Sequence, residues 1–179
     1  LSFFGRRGFV TGNPVRAEFF RPSPGSGQGR RILVLGGSQG AHAINVAMVA
    51  AAPRMVSRLP SLEVVHQTGQ RDLAAVREEY QRAAVPARPE PFFDAVAREM
   101  TAADLVICRA GATTLAELAA AARPAVLIPF PAATDDHQRK NAKVLADAGA
   151  ATLIEEKDLS SDRLADVAAT ILADGMKKD

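Results

Sequence analysis

Three loops of the sequence combine residue types and spacings that could bind a phosphorylated ligand. The first has the sequence G-G-S-Q-G-A at residues 36–41, after the apolar run I-L-V-L and before a predicted helix. Glycines let a backbone turn tightly and approach a ligand closely, and the free N–H groups at a helix start favour an anion. Ser38 adds a hydroxyl donor. The loop therefore indicates a phosphate-binding turn, with a turn needed only for packing as the alternative.

The spacing of this loop argues against two common nucleotide-binding motifs. It is not G-x-G-x-x-G, and no G-K-S/T sequence follows it. The next predicted strand ends in H-Q-T-G at residues 66–69, where a dinucleotide site would place an acidic residue for the ribose. We therefore expect neither NAD nor a Walker-type phosphate site.

The second loop, C-R-A-G-A-T-T, follows another apolar run and opens a predicted helix that contains Glu117. Thr113 or Thr114 is predicted to cap this helix, and Ala112 leaves the mouth of the site open for a bulky group. Glu117 shares a helix face with both threonines. Its carboxylate could complete a capping box, or it could accept hydrogen bonds from the two vicinal hydroxyls of a ribose. Spacing alone favours neither interpretation over the other.

The third loop runs from P-F-P to D-D-H-Q and leads into a helix that carries Gln138 and Asn141. Amide side chains both donate and accept hydrogen bonds, so this pair could bind a neutral polyol such as a hexose. Asp135 and Asp136 precede the helix and are predicted to be caps and not metal ligands. The three histidines are scattered along the chain without zinc-site spacing, and we expect no metal.

These loops must be positioned by alternating strands and helices. Short β-branched or Leu-rich runs alternate with longer Ala-rich amphipathic stretches, which predicts an α/β fold with a doubly wound parallel sheet and ligands at the carboxyl ends of its strands. The predicted strands are residues 31–35, 62–66, 87–91, 105–108, 125–128 and 151–154, and the predicted helices are about 41–58, 71–84, a short one from 94, 113–121, 136–148 and 161–173.

A boundary is predicted before this sheet. Residues 22–29, P-S-P-G-S-G-Q-G, have the composition of a flexible connector. We therefore expect an N-terminal segment and linker over residues 1–29 and a nucleotide-binding domain over 30–179. The first segment is rich in phenylalanine, which is expected to pack against this domain or, alternatively, to contact a partner domain. These residues are Phe3, Phe4, Phe9, Phe19 and Phe20.

Composition excludes several functional classes. The chain has 179 residues, 47% of them hydrophobic and 23% charged, which is typical of a globular protein. A net charge of +2 with intermixed signs and only 5% aromatic residues argues against a nucleic-acid partner. No apolar run is long enough to span a bilayer. The single cysteine, Cys108, and the lack of a signal-like leader suggest a cytoplasmic location, and Cys108 is expected to be structural.

Six motifs taken in order resemble one family. They are G-N-P-V-R ending at Arg16, G-G-S-Q-G-A, H-Q-T-G, F-F-D at residues 92–94, C-R-A-G-A-T-T and D-H-Q-x-x-N-A ending at Ala142. Their order and spacing are similar to those of the undecaprenyl-pyrophosphoryl-muramoylpentapeptide N-acetylglucosaminyltransferases, the MurG family. The resemblance covers nearly the whole chain but only the C-terminal half of the family, whose N-terminal domain carries the acceptor site and catalytic histidine.

The resemblance implies a Rossmann-like domain of a GT-B glycosyltransferase that holds UDP-N-acetylglucosamine. Ala110 stands where the family usually has serine, and His137 is variable, so neither receives a role. By resemblance, the implied ligand contacts are Arg16 at the domain junction, Ser38 on the diphosphate, the Phe93 backbone on uracil, Ala112, Thr113 and Thr114 along the diphosphate and sugar, Glu117 on the ribose, and Gln138 with Asn141 on the sugar.

The implied reaction is an inverting transfer of N-acetylglucosamine to the 4-hydroxyl of the lipid-linked muramoyl pentapeptide, lipid I, giving lipid II for the cell wall. No tightly bound cofactor is expected, and no residue of this chain is expected to be catalytic, because the general base would come from the absent domain. We expect the chain to bind UDP-sugar without turnover. The full-length enzyme would be peripheral on the cytoplasmic face of the bacterial inner membrane, with roles in cell shape and division.

Two other interpretations stay open at this point. One is a different GT-B protein that uses a UDP-sugar, such as a 2-epimerase or a lipid glucosyltransferase. The other is a non-catalytic scaffolding domain that recruits cell-wall enzymes through its Phe-rich N-terminal stretch. Glu117 separates the second from the nucleotide-binding interpretations, because a scaffold would not need a ribose contact.

Overall fold

The computed structural model describes residues 12–21, 30–37 and 40–174. In this part of the chain six strands alternate with six α-helices. The strands are β1 (Arg30–Leu35), β2 (Leu62–Gln67), β3 (Ala87–Glu90), β4 (Leu105–Cys108), β5 (Ala125–Leu127) and β6 (Ala151–Leu153). The helices are α1 (His42–Arg58), α2 (Leu73–Arg82), α3 (Val96–Ala102), α4 (Ala112–Ala121), α5 (His137–Asp147) and α6 (Ser161–Asp174).

The strands form one parallel sheet in the order β3-β2-β1-β4-β5-β6. The prediction of a doubly wound α/β fold is confirmed. The strand order reverses between β1 and β4, where such sheets bind ligands. Leu35 at the end of β1 lies beside Gln67 of β2 and Cys108 of β4. The loops that follow these three strands therefore start from one edge of the sheet.

The apolar side chains of the strands alternate between two cores. On β1, Ile32 and Val34 belong to the core beneath α1, α2 and α6, whereas Leu33 and Leu35 belong to the core beneath α3 and α4. Strand side chains point alternately to opposite faces, so a continuous apolar run is what a strand covered on both faces requires. The I-L-V-L sequence meets this requirement.

The predicted elements are confirmed in number and order, with small shifts at their ends. Helix α2 begins at Leu73 and ends at Arg82, and its C-terminal end comes earlier than predicted because the chain after it turns through Ala84, which has a φ of +51°. Helix α5 begins at His137, one residue later than predicted. Asp135 and Asp136 before it both have a φ of +54°, which is incompatible with a right-handed helix.

The N-terminal segment contains one residue that anchors it to the domain. A short 3-10 helix, Ala17–Phe20, packs against α3 and α4. Phe19 is completely buried in the core under those helices, whereas Phe20 is 62% exposed. For Phe19, the structure therefore shows packing against this domain. The other three early phenylalanines and the connector lie outside the described residues, and the boundary at residue 30 stays a prediction.

Two further findings concern the described ranges alone. None of their helices is both long enough and apolar enough to cross a membrane. Cys108 is buried at the end of β4, and burial raises the pKa of its thiol to about 12. A thiol with so high a pKa forms little thiolate at neutral pH, which agrees with the expected structural role.

Candidate functional site

The loops at the reversal of strand order enclose a cavity of about 240 Å³. Its walls come from the ends of β1, β2 and β4, the β3–α3 loop and the first turns of α4. Among the predicted site residues, Thr114 and Glu117 line it together with Gly36 and Gly37. Thr114 and Glu117, two of the residues that are expected to share one pocket, thus lie together, whereas Gln138 and Asn141 of the third loop do not line this cavity. Ser38 lies outside the described residues.

A second cavity of about 450 Å³ lies beside the start of α1. It is lined by Gly40, Ala41 and His42 at the start of α1 and by Phe130 and Gln138 of the third loop. Gly36 and Arg109 line both cavities. The two cavities therefore adjoin at these two residues, and together they are called the extended site below.

The glycine loop is seated directly on the end of β2. A Cβ atom at Gly40 would lie 2.4 Å from the Thr68 carbonyl oxygen, and the residue has a φ of +78°. A Cβ at Gly36 would lie 2.8 Å from the Ala41 nitrogen, and the Gly36 N–H donates to the Gln67 carbonyl at 3.1 Å. Both positions therefore require glycine, because any side chain would collide with the neighbouring backbone.

The N-cap residue of helix α1 is Ala41, whose methyl side chain makes no cap hydrogen bond. The backbone N–H groups of a first helical turn lack partners within the helix, and the helix dipole adds partial positive charge. The start of α1, beside Gly40, is therefore suited to a phosphate group.

Helix α4 corrects one prediction in the second loop. The helix begins at Ala112, and Gly111 is its N-cap with no side-chain hydrogen bond, so neither Thr113 nor Thr114 is the cap. Gly111 has extended backbone angles, φ −67° and ψ 144°, which suit an N-cap position. Glu117 is therefore not the partner in a capping box. Ala112 and Thr113 are exposed at the first turn and line neither cavity.

Glu117 lies in a partly desolvated position with charges nearby. Burial raises the pKa of its carboxyl group, the charge of Arg16 lowers it, and Glu18 raises it further. Arg16 is held by an ion pair with Glu18 at 3.0 Å and lies over the Phe19 ring, 5.2 Å from its centroid. The anchored N-terminal segment thus brings the predicted Arg16 close to the predicted ribose carboxylate.

Each of the two side-chain amides of α5 uses one of its polar atoms to bind backbone of the second or third loop. The Gln138 Oε1 accepts from the backbone N–H groups of Ala110 and Phe130, at 3.2 and 3.0 Å. The Asn141 Nδ2 donates to the Ala110 carbonyl at 3.3 Å. The Gln138 Nε2 and the Asn141 Oδ1 are the other halves, one a donor and one an acceptor. This donor and acceptor could form hydrogen bonds with a sugar hydroxyl and an acetamido group.

The acidic residues before α5 do not act as predicted. Asp136 occupies the N-cap position, but it makes no side-chain cap bond there and has left-handed backbone angles. It instead lies 3.5 Å from Arg139 in an ion pair. Among the described residues no group of three or more histidine, cysteine, aspartate or glutamate side chains could hold a metal ion.

The F-F-D turn contributes a side chain that the sequence argument did not select. Phe93 is buried, with the Arg88 guanidinium over its ring at 5.0 Å, so only its backbone is available to a ligand. Phe92 is 55% exposed and lines the first cavity. An aromatic ring at this position can stack on a nucleobase. Two adjacent phenylalanines in a strand-to-helix loop were the signal, since only one of them can enter the core.

Arg109 is the second residue that the sequence argument left without a role. Its guanidinium donates to the carbonyls of Ile128 and Pro129, both at 3.2 Å, and forms an ion pair with Glu156 at 2.5 Å. It lies where the two cavities meet. A basic residue directly after a buried strand was the available signal, because such a residue must lie at the ligand edge of the sheet.

Comparison with known proteins identifies the family. The sequence profile of the glycosyltransferase family 28 C-terminal domain matches residues 31–179. The chain belongs to this family. Relatives include proteins named UDP-N-acetylglucosamine–N-acetylmuramyl-(pentapeptide) pyrophosphoryl-undecaprenol N-acetylglucosamine transferase. The protein from Syntrophus aciditrophicus is 48% identical over 92% of this chain and 46% of its own length. That from Anaeromyxobacter sp. strain K is 44% identical over 91% and 43%.

Solved structures agree with this assignment. The crystal structure of Acinetobacter baumannii MurG matches with a TM-score of 0.76 and 34% identity over 92% of this chain and 49% of that one. The glycosyltransferase of kitacinnamycin matches with a TM-score of 0.62 at 18% identity over 90% of this chain and 42% of that one, which shows a shared fold alone. The similarity to the MurG family is thus confirmed, and this family 28 domain spans less than half the length of the curated relatives named above.

Proposed function

We propose that this family 28 domain is the donor-binding half of an N-acetylglucosaminyltransferase and that it binds UDP-N-acetylglucosamine. The observation that carries the proposal is the extended site at the reversal of strand order. Its walls contain an exposed phenylalanine ring, the Glu117 carboxylate, the glycines that lead into α1 and the Gln138 amide, which together support this proposal. The names of the relatives at 44 to 48% identity supply the sugar.

The ligand would extend through both cavities. The uracil would contact Phe92 and the Phe93 backbone, and the ribose hydroxyls would donate to Glu117. The diphosphate would lie beside Gly36 and the start of α1, and the sugar would lie beside Gln138. This assignment follows the chemistry of each wall: an aromatic ring for a base, a carboxylate for vicinal hydroxyls, N–H groups for phosphate and amides for a hexose.

In this proposal the domain assists the reaction by stabilising the leaving group. In an inverting displacement the muramoyl 4-hydroxyl attacks the anomeric carbon, and negative charge develops on the departing UDP. Fixed N–H groups and the dipole of α1 stabilise that charge without reorganisation. The general base and the binding site for lipid I would come from residues outside this chain, so the chain alone would bind donor without transferring sugar. The assembled enzyme would act at the cytoplasmic face of the membrane that holds lipid I.

Isothermal titration with UDP-N-acetylglucosamine, UDP-glucose and thymidine diphosphate tests the proposal. We expect the first ligand to bind most tightly, since it alone supplies both the matching base and ribose and an acetamido group for the α5 amides. Equal affinity for the two UDP-sugars would favour another GT-B enzyme. Absence of binding to every nucleotide would refute the proposal and favour the scaffolding interpretation. Turnover of lipid I by the isolated chain would refute the assignment of the base to residues outside it.

A further inference from the structure

A buried polar network underlies the glycine loop, and no step of the proposed function uses it. Its members lie on β2, directly after β2, on α1 and on α2, and all are almost inaccessible to solvent. They are Asn45, His66, Thr68 and Tyr80. Burial of four polar side chains in the interior is costly unless every donor and acceptor is paired, so such a network needs a physical reason.

Asn45 is the centre of the network and uses all of its amide groups. Its Nδ2 donates to the Thr68 carbonyl and to the Asp72 carboxylate, both at 2.9 Å. Its Oδ1 pairs with the His66 Nε2 at 3.0 Å. Because a carbonyl and a carboxylate can only accept, the amide orientation is fixed, and the His66 Nε2 must be the donor.

The proton positions follow along the rest of the network. Burial lowers the pKa of His66 to about 3, against the opposing effect of the Asp72 charge, so the ring is neutral. With its proton on Nε2, the Nδ1 accepts from the Tyr80 hydroxyl at 2.8 Å. Burial alone would raise the pKa of Asp72, but the hydrogen bonds from His42 and Asn45 together with neighbouring charges, that of Arg71 among them, outweigh burial and lower that pKa. The network therefore has one arrangement of protons and no free partner at Asn45.

The glycine loop rests on the group that this network holds. The Thr68 carbonyl, which accepts from Asn45, is the oxygen that a Cβ at Gly40 would approach to 2.4 Å. Gly40 directly precedes Ala41, the N-cap residue of α1. A shift of the Thr68 carbonyl would thus move the backbone that faces the second cavity.

We propose that Asn45 is a positioning residue for the phosphate groups of a nucleoside diphosphate, acting through the Thr68 carbonyl beneath Gly40. This inference rests on the proposed function, because it concerns the diphosphate part of the same site. It assigns a purpose to the H-Q-T-G motif: His66 orients the Asn45 amide, and Thr68 carries the supporting carbonyl. The residues that would contact uridine lie on other elements.

The test compares Asn45→Ala with the unaltered chain for two ligands, UDP by isothermal titration and uridine by NMR titration, which measures weak affinities. We expect the substitution to weaken UDP binding at least fivefold and to change uridine binding less than twofold. Thr101→Val is the matched control. It removes a buried hydrogen bond of 2.8 Å, from the Thr101 hydroxyl to the Ala97 carbonyl, at a site that lines neither cavity. This control should lower stability without changing either affinity.

The outcomes separate the two proposals. If the unaltered chain binds neither ligand, both proposals fail. If it binds both and Asn45→Ala leaves UDP affinity unchanged, or weakens both ligands equally, only the positioning role is refuted. Should Asn45→Ala not fold, Tyr80→Phe is the second variant. It keeps the ring but removes the hydroxyl that orients His66, and a selective two- to threefold loss of UDP affinity is expected. No selective loss in that variant would overturn the inference.

Discussion

The carboxylate of Glu117 gives the sharpest test of the nucleotide site. We predict that Glu117→Gln weakens UDP binding, because the side chain keeps its size but loses the charge that, in the proposed site, accepts hydrogen bonds from the ribose. Hydrogen bonds to a charged group contribute about 1.5–3 kcal/mol. Glu117 is only partly buried, so solvent competes and the expected loss lies at ~1–2 kcal/mol, or about 5- to 30-fold in affinity. The measurement is isothermal titration at pH 7.

A second ligand makes this measurement specific to the ribose. The unaltered chain should prefer UDP over 2′-deoxy-UDP, whereas Glu117→Gln should discriminate less between them. The difference between the two discriminations is the coupling energy between the carboxylate and the 2′-hydroxyl. Glu78→Gln on the exposed face of α2 removes a carboxylate far from both cavities and should change nothing. Equal loss of both ligands in Glu117→Gln would refute a ribose contact.

The same substitution should have the opposite effect on stability. Burial raises the pKa of Glu117 in the folded chain. A carboxyl group whose folded pKa is raised stabilises the fold only below its unfolded pKa, and that contribution is lost as pH rises. At pH 7 the ionised group is therefore a small cost, and glutamine should remove it. Weaker ligand binding together with equal or greater resistance to urea would mark Glu117 as a binding residue and not a structural one.

Two further predictions concern the fold. Phe19→Ala should lower the free energy of unfolding by about 3 kcal/mol, because it leaves a cavity where a buried aromatic ring was. Phe20→Ala should change that free energy by less than about 0.5 kcal/mol, because its ring is exposed. Similar losses from both variants in urea denaturation would contradict the anchoring role of Phe19. His66 has a pKa of about 3 in the folded chain and 6.5 in the unfolded chain, so between these pH values the unfolded chain binds more protons. The free energy of unfolding should therefore fall as the pH drops below 6.5, by at most ~1.4 kcal/mol per pH unit. His66→Gln should lack this slope between pH 6.5 and 5, and an unchanged slope in that variant would show that the buried histidine is not its source.

The fold could be predicted from the sequence because its strands are covered on both faces. Each strand is a short apolar run, and each intervening stretch has helical periodicity, so alternation alone indicates a parallel sheet. The element ends were less predictable, since they depend on single backbone angles. Ala84 and Asp136 adopt positive φ values that nothing in their residue type requires. Pattern arguments cannot anticipate such positions.

The site was predictable to the extent that loops at one sheet edge must meet. Thr114 and Glu117 were found this way, because residues opening a helix after a parallel strand lie at the ligand edge. Phe92 and Arg109 were missed for a different reason. Whether Phe92 or Phe93 enters the core depends on the angle at which the β3–α3 loop leaves the sheet, and the length of Arg109 lets it reach either cavity. Both questions need coordinates.

The buried network shows how the sequence motif H-Q-T-G becomes interpretable only with the structure. In the sequence, the only information in H-Q-T-G is that it lacks the acidic residue of a dinucleotide site, which argues against such a site. In the structure the same residues lie beneath the glycine loop, and Asn45, which no motif singled out, links them to α1. In the proposed assignment the ribose carboxylate is Glu117 on α4, across the reversal of strand order, and not a residue at the end of β2. Under that assignment the end of β2 supports the glycine loop and does not contact the ribose, so an uncharged H-Q-T-G turn is compatible with a nucleotide site.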